Sequence, residues 1–359
     1  MKRTVTLLLV LCLLLCACGS KAEVPETSNT ETTAATTEAT TEATVSDGVC
    51  RHPLTGQVLD APYTGRPTAV VINNLKAAMP QSGISQADML YEFETEGGIT
   101  RMLAIFSDLT NVGSIGPIRS DRTYFNNIVS SYDIPVVHCG GGSRALKGQY
   151  DRGHTLEKWD HIDQVSYGSY FYRDTQRRQQ GYAYEHTLFT TGEKLINALE
   201  KLNFNTITEE GVDYGLNFSE DVSVSGETAN QITVKFHGKK ETSFTYDADN
   251  GLYLASQYGN KHMDAAANKQ MAYKNVLVIQ AKQDRIKDGK YTRSYYDMIG
   301  EGKGYFACNG QMIPMQWSRK TVTDPFVYTM EDGTPLTLGV GTSYIAVVDT
   351  EAPAGVTCK

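Results

Sequence analysis

The sequence predicts an α/β fold, α+β overall, in which a layered N-terminal α/β domain with a mixed sheet precedes a β-rich C-terminal domain. Apolar strands alternate with helical segments up to residue 202, whereas period-two alternation dominates after residue 211. The about 310 residues that follow a polar N-terminal tail favour two domains on size alone. We therefore predict domains at residues 48–210 and 211–359.

The chain begins with the pattern of an exported lipoprotein. Lys2 and Arg3 precede an apolar run at residues 5–15, which is too short to span a bilayer. The sequence Leu15-Cys16-Ala17-Cys18 is a cleavage pattern that ends in a lipidated cysteine. We expect a signal peptide at residues 1–17 and a lipid anchor on Cys18 at the extracytoplasmic face of the cell membrane. An uncleaved membrane anchor is the alternative.

Residues 18–47 predict a disordered tether. They are almost entirely Thr, Glu, Ala and Ser, with no aromatic side chain, and therefore cannot form a hydrophobic core. A flexible segment of about 27 residues has a root-mean-square reach on the order of 30 Å. The tether would hold the folded part away from the membrane.

The formal net charge of -8 makes the protein acidic, and loss of the signal peptide makes it more so. Nucleic acid is therefore excluded as an expected partner, and membrane contact depends on the lipid at Cys18. Export permits disulfides, and their pairing remains open. We hypothesise a Cys50–Cys358 bridge, because both cysteines lie at the ends of the folded region. Cys139 and Cys308 are the remaining candidates.

The predicted elements of the N-terminal domain follow the hydrophobic pattern. Continuous apolar runs predict strands, and capped segments with apolar spacing of three and four predict helices. The strands are expected at 67–73, 99–107 and 134–138, and the helices at 85–93, 120–132 (capped by Ser120) and 191–202 (capped by Thr191).

In the C-terminal domain, alternation on both sides of the turn at 237–240 predicts a hairpin of residues 231–236 and 242–246. Further strands are expected at 252–254, 275–281, 304–307 and 342–348.

Three polar clusters between Gln81 and Tyr124 are the first candidate site. Arg119, Ser120 and Arg122 fall at a predicted helix start, where free N–H groups and guanidinium forks suit a phosphate or carboxylate. An arginine-lined pocket for a small anionic or cell-wall ligand is one interpretation. The other is an internal salt-bridge network of Arg101, Arg119 and Arg122 with nearby acidic residues; these are Asp88, Glu92, Glu94 and Glu96.

A glycine turn after the strand that ends at His138 is the second candidate. Gly140-x-Gly142-x-x-Ala145 matches a dinucleotide fingerprint, but the required acidic residue falls in a loop. A turn that brings the backbone close to a ligand held by Arg119 is the favoured interpretation. No cofactor is predicted. No metal is predicted either, because the spacing of His154, His161 and Asp163 fits no zinc pattern.

Two histidines extend these candidates toward catalysis. His138 or His186 could act with Glu92 or Glu96 as an acid–base pair of a cell-envelope hydrolase or transferase, although no nucleophile motif is present. A binding or scaffolding module, with an envelope protein as a further candidate partner, is the favoured interpretation. The predicted ligand-binding residues are Glu92, Glu96, Arg101, Arg119, Ser120, Arg122, His138, Gly141, Gly142, Ser143 and His186.

A set of N-terminal motifs carries a family resemblance; they are Pro53-Leu-Thr-Gly56, Arg66-Pro67, Ala69-Val70, Asn74, Gln81-Ser-Gly83, Ala87-Asp88, Tyr91-Glu92, Glu96-Gly, Ile99-Thr-Arg101, Gly116-Pro117, Arg119-Ser120, Arg122, His138, Gly141-Gly142-Ser143 and His186. Together these motifs resemble the YerB-like lipoproteins of Gram-positive bacteria. The resemblance spans nearly all of residues 50–348. It implies an α/β N-terminal domain and extracytoplasmic anchoring, but no reaction. One departure is Thr187, where the family often has Asn after the histidine.

Overall fold

The computed structural model describes residues 49–151, 153–208, 214–236, 240–351 and 355–359. The predicted signal peptide, the lipidated Cys18, the tether and the turn at 237–239 lie outside the described residues. The α-helices are Thr123–Ser131 (α1), Thr175–Gln179 (α2) and Gly192–Lys201 (α3). Short 3-10 helices are Lys76–Ala78, Ile84–Gln86, Ala145–Lys147, Gly168–Tyr170 and Tyr184–His186.

Strands far outnumber helices. Up to residue 208 they are Cys50–Arg51 (β1), Val58–Leu59 (β2), Thr68–Asn73 (β3), Met89–Glu94 (β4), Thr100–Phe106 (β5), Ser114–Ile115 (β6), Val136–His138 (β7), His161–Asp163 (β8), Tyr172–Arg173 (β9) and Leu188–Thr191 (β10). From residue 214 they are Asn217–Ser219 (β11), Glu227–Thr228 (β12), Gln231–Lys235 (β13), Glu241–Asp247 (β14), Leu252–Gln257 (β15), Asn260–Lys261 (β16), Met263–Asp264 (β17), Lys269–Gln270 (β18), Ala272–Tyr273 (β19), Asn275–Ala281 (β20), Gln283–Asp288 (β21), Tyr291–Tyr296 (β22), Gly300–Cys308 (β23), Gln311–Arg319 (β24), Val327–Met330 (β25), Thr337–Gly339 (β26), Ser343–Asp349 (β27) and Val356–Cys358 (β28).

A mixed central sheet contains strands from both parts of the chain. Its order within the described residues is β12-β24-β23-β20-β27-β4-β5-β3-β7-β8, and β25 pairs with β24. The pairs β20–β27, β27–β4, β3–β7 and β7–β8 are parallel. The predicted mixed α/β class with a β-rich C-terminal part is confirmed. The predicted boundary at residue 210 stays a prediction, although β4 and β27 pair across it.

Both faces of the central sheet are covered in its middle, where the strands β3, β4, β5, β20 and β27 are buried on both sides. In β3, Ala69 and Val71 join one hydrophobic cluster, while Val70 and Ile72 join the other. Helix α1 packs on the first face. Helix α3 and the separate sheet β16-β15-β14-β13-β28 contribute to the cluster on the second face.

Two predicted helical features are wrong. Residues 85–93 are not a helix: a single 3-10 turn is followed by β4, where every residue is buried between neighbouring strands. Helix α1 begins at Thr123, and Ser120 does not cap it. The cap residue is Arg122, because the preceding backbone pairs with the ends of other strands. The predicted Thr191 cap is confirmed, since its hydroxyl accepts a hydrogen bond from the Lys194 amide at 3.2 Å.

The hypothesised Cys50–Cys358 bridge is wrong for this structure. Both residues are free thiols, as are Cys139 and Cys308. The reason is topological: Cys50 belongs to a strand pair with β2, whereas Cys358 pairs into the separate sheet beside β13.

Candidate functional site at the carboxyl edge of the central sheet

Residues 118–122 cross the carboxyl ends of β3 and β7. The Arg119 carbonyl accepts a hydrogen bond from the Cys139 amide at 3.0 Å, and the Asp121 amide donates to the Gly140 carbonyl at 2.9 Å. Ligands of α/β proteins commonly bind where parallel strands end. The predicted residues of this segment therefore lie where a ligand site is expected.

Glu96 forms the ionic centre of this edge. Its carboxylate accepts hydrogen bonds from Arg122 Nε at 3.0 Å and Nη2 at 2.8 Å, and from Arg293 Nη1 at 3.2 Å. Burial opposes ionisation of Glu96, but the Arg122 hydrogen bonds and charge outweigh it and lower the pKa of Glu96 to about 2. Glu96 is therefore a fixed anion and is unsuited to general acid–base chemistry.

Arg101 is a buried cation of this edge, and the charges of Glu96 and Asp121 interact with it without a direct ion pair. Its guanidinium is only 7% exposed and donates to the Ser120 carbonyl at 2.9 Å. No carboxylate of the described residues forms an ion pair with it. Burial, together with the charge of Arg122, lowers the pKa of Arg101 to about 9. The guanidinium is still a cation at neutral pH.

Asp121 is a functional candidate that sequence reasoning missed. It is fully buried, and neither carboxylate oxygen has a hydrogen-bond partner. Burial raises the pKa of Asp121 to about 7, against the opposing charges of Arg122 and Arg101. Its position between Ser120 and Arg122 in a polar run gives no sign of this burial.

His138 is buried and uncharged. Its Nδ1 lies 2.9 Å from the Gly140 carbonyl and its Nε2 lies 3.1 Å from His161 Nδ1. Burial lowers the pKa of His138 to about 4, although Asp163 lies 3.7 Å away. This neutral imidazole is oriented by its neighbours and has no contact with Glu96 among the described hydrogen bonds.

Residues 140–144, which we call the glycine loop, enclose a side chain from another strand. The Ser143 hydroxyl and the Arg144 amide both donate to Asp288 Oδ1, the latter at 3.1 Å. A Cβ at Gly142 would lie 2.1 Å from Asp288 Oδ2, so a larger residue would require that carboxylate to move. Gly141 pairs with Asp121. The loop is followed by a single 3-10 turn rather than the α-helix of a dinucleotide site.

Arg119 and His186 lie together at the rim. Arg119 forms an ion pair with Glu185 at 2.7 Å and its side chain is 24% exposed. His186 Nε2 lies 3.6 Å from the same carboxylate, and its Nδ1 lies 3.0 Å from the Asn73 amide nitrogen. Burial lowers the pKa of His186.

Glu92 lies in a buried hydrogen-bond network that contains none of the three candidate arginines. Lys240 Nζ lies 2.9 Å from its carboxylate, and Thr242 Oγ1 donates to it at 2.7 Å. Asn74 and the Tyr344 hydroxyl donate as well. Both charged partners are essentially inaccessible to solvent. Glu92 therefore does not line the predicted ligand pocket.

The predicted acid–base pair is not assembled. Among the described residues, no hydrogen bond or ion pair joins Glu92 or Glu96 to His138 or His186. A cavity of about 1070 Å³ lies elsewhere and contains none of the predicted site residues. Tyr150 and Trp159 are among its lining residues. In the described parts of the chain, no group of three His, Cys, Asp or Glu side chains is placed to hold a metal.

Two family models match the chain. Residues 54–205 match the N-terminal domain, and residues 232–345 the C-terminal domain, of the family described as "protein of unknown function (DUF3048)". The chain belongs to the DUF3048 family. This DUF3048 protein is similar to "Putative lipoprotein YerB" of Bacillus subtilis (strain 168), with 29% identity over 311 residues that cover 82% of this chain and 88% of the relative.

A crystal structure of the YerB protein from Bacillus subtilis matches the fold with a TM-score of 0.71 at 27% identity. The match covers 86% of this DUF3048 protein and 99% of the other chain. The resemblance deduced from the motifs is therefore confirmed, and it includes the two-part architecture. In the described portion of the chain, none of the helices has the length and apolar character needed to cross a membrane.

Proposed function

We propose that this DUF3048 protein is a lipid-anchored, extracytoplasmic module that binds an anionic ligand at the carboxyl edge of its central sheet. The anchor would be Cys18, at the end of the signal-peptide pattern. The lipoprotein name of the Bacillus subtilis relative supports attachment to a membrane. The module would work at the cell envelope, on a small or cell-wall anion.

The main support for this proposal is that the buried Arg101 forms no direct ion pair among the described residues. Burying a cation without an ion pair is costly, and a bound carboxylate or phosphate would offset that cost with paired N–H hydrogen bonds. Arg101 is held by a single hydrogen bond to the Ser120 carbonyl, so its guanidinium retains donors for a ligand. Arg119, at the partly exposed rim, is placed to attract the same anion.

Glu96 and Arg122 have a supporting role in this proposal. Their ion pair is already complete, with Arg293 on the same carboxylate. They would therefore position the edge and leave binding to Arg101. Glu92 belongs to the internal network and takes no part in binding.

The test is isothermal titration of the chain without its signal peptide, using inorganic phosphate and citrate as probes. We expect Arg101→Gln to weaken the affinity for the preferred anion at least tenfold, because the central cation is lost. The matched control is Arg178→Gln, which removes an exposed arginine. An unchanged affinity in Arg101→Gln, or a lower melting temperature as its sole effect, would show that Arg101 is structural.

A further inference from the structure

We propose that the glycine loop is a second anion site, for a phosphate ester, and that the Asp288 carboxylate occupies it in the free protein as an internal substitute. The inference goes beyond the site at Arg101 and does not depend on it. It rests on the donors of the loop, the charges of an adjacent cavity and the attachment of the strand pair that carries Asp288.

The donors of the loop match those that hold phosphate in other proteins. Asp288 Oδ1 accepts from a hydroxyl, that of Ser143, and from a backbone amide, that of Arg144. Backbone N–H groups in glycine-rich turns commonly bind phosphate oxygens in this way. Asp288 is 5% exposed, although it adjoins exposed residues at the end of its strand. A negatively charged group already fills the loop.

The adjacent cavity has a charge opposite to that of the whole protein. It measures about 320 Å³, and its lining includes the cations Arg144, Lys147 and Lys287. Asp288 is the one carboxylate among its described lining residues. In a protein with a formal net charge of -8, this local positive charge favours an anion with more charge than a carboxylate. A phosphate ester satisfies that requirement and provides additional acceptor oxygens.

The attachment of Asp288 permits its displacement. Within the described residues, β21 and β22 pair with each other and with no other strand, and an isolated strand pair is marginally stable. Ion pairs of 3.2 Å link it to the sheet edge, and the Arg285 side chain that makes one of them is 41% exposed. The Arg285 pair has one exposed partner and is therefore the weaker of the two, whereas both side chains of the Arg293–Glu96 pair are 20% exposed. The turn between β21 and β22, which carries Asp288, could therefore move away from the glycine loop. The buried Tyr296 would hold the other end of the strand pair in place.

The experiment compares the binding of inorganic phosphate to the wild-type protein and to Asp288→Ala by isothermal titration. We expect the variant to bind at least tenfold more tightly, because the internal competitor is gone. Adding Ser143→Ala to the Asp288→Ala variant should abolish this gain in phosphate affinity. Asp249→Ala, which removes an exposed acidic charge from another turn, should leave the wild-type affinity unchanged.

Asp288→Asn is the second variant if Asp288→Ala does not fold, since it removes the charge and keeps the shape. Equal affinities of the Asp288 and Asp249 variants for inorganic phosphate, glycerol phosphate and phosphatidylglycerol vesicles would overturn the proposal, as would a gain that survives Ser143→Ala. A gain that Arg101→Gln abolishes would also overturn it, since the two sites would then be one. If Arg101→Gln lowers anion binding in the wild-type background but leaves the gain of Asp288→Ala intact, the two sites are separate, as proposed.

The source of the phosphate ester is distinguished by two further probes for the same variants. Tighter binding of glycerol phosphate by Asp288→Ala would identify a soluble or polymeric ester as the ligand class. Tighter binding of phosphatidylglycerol vesicles alone would identify a lipid headgroup. Both results support a phosphoryl site, and the absence of any gain with all three probes overturns it.

Discussion

Asp121 shows how one buried carboxylate makes the stability of the protein depend on pH. Its two oxygens lack hydrogen-bond partners, and burial raises its pKa to about 7 from the ordinary 3.8. The folded state therefore binds a proton between these values that the unfolded state has already released. By linkage, the contribution of Asp121 to stability is greatest below about pH 4, falls as the pH rises toward 7 and stays reduced above it.

We predict that Asp121→Asn stabilises the protein at pH 8 by on the order of 2–4 kcal/mol and has little effect at pH 4. Asparagine resembles the protonated acid and cannot lose the proton. Urea unfolding of both proteins at the two pH values measures this difference. The exposed Asp249→Asn serves as control and should show no such pH dependence. Parallel pH profiles for wild type and Asp121→Asn would contradict the assignment.

Residue-level interpretation of the sequence grouped the arginines with nearby acidic residues but could not pair them. Strand register decides that Glu96 meets Arg122 and that Glu92 instead meets Lys240, which lies 148 positions further along the chain. The partner of the glycine loop, Asp288, is equally remote in sequence. Local motifs contain no information on such pairings. The structure confirms the Arg122–Glu96 pair of the salt-bridge interpretation, whereas the ligand interpretation stays a prediction.

At the level of elements, hydrophobic runs predicted the buried strands well. Residues 68–73, 100–106 and 275–281 form strands close to their predicted bounds. Strand β4 was mistaken for a helix because its buried glutamates break the apolar run. Glu92 is tolerated there through hydrogen bonds from Thr242 and Tyr344 on remote strands, which propensity cannot foresee.

Helix α3 gives an element-scale prediction. We expect Thr191→Ala to lower the free energy of unfolding by about 1 kcal/mol, because the Lys194 amide loses its capping hydroxyl. Thr191→Ser keeps the hydroxyl and should remain within a few tenths of a kcal/mol of wild type. Chemical denaturation of the wild type, Thr191→Ala and Thr191→Ser measures these differences in the free energy of unfolding. A stability loss as large in the serine variant would point to the lost methyl group and away from the cap.

Across the whole molecule, one buried ion pair joins the segments that the two family models match. Glu92 belongs to β4, whereas Lys240 precedes β14 in the C-terminal part. Removing one partner of a buried pair leaves the other charge without compensation, which is far costlier than losing an exposed pair. The shared central sheet adds backbone hydrogen bonds between the same segments.

We predict that Glu92→Gln destabilises the protein by about 3–5 kcal/mol while unfolding stays a single transition. The isolated Lys240 cation is the cause, so Glu92→Gln combined with Lys240→Met should regain part of the loss. Glu241→Gln, whose carboxylate is 53% exposed, is the matched control and should change little. Two separate urea transitions, or a loss no larger than in the control, would refute this link between the segments.

The place of β27 in the central sheet has a consequence for how the molecule is made. Residues 343–349 are synthesised after the other strands of the central sheet, yet they lie between β20 and β4. Until β27 is available, the two groups of strands on either side of it have unpaired inner edges, and such edges favour association with other chains. A chain truncated before residue 343 would lack the middle strand of its sheet and could not close it.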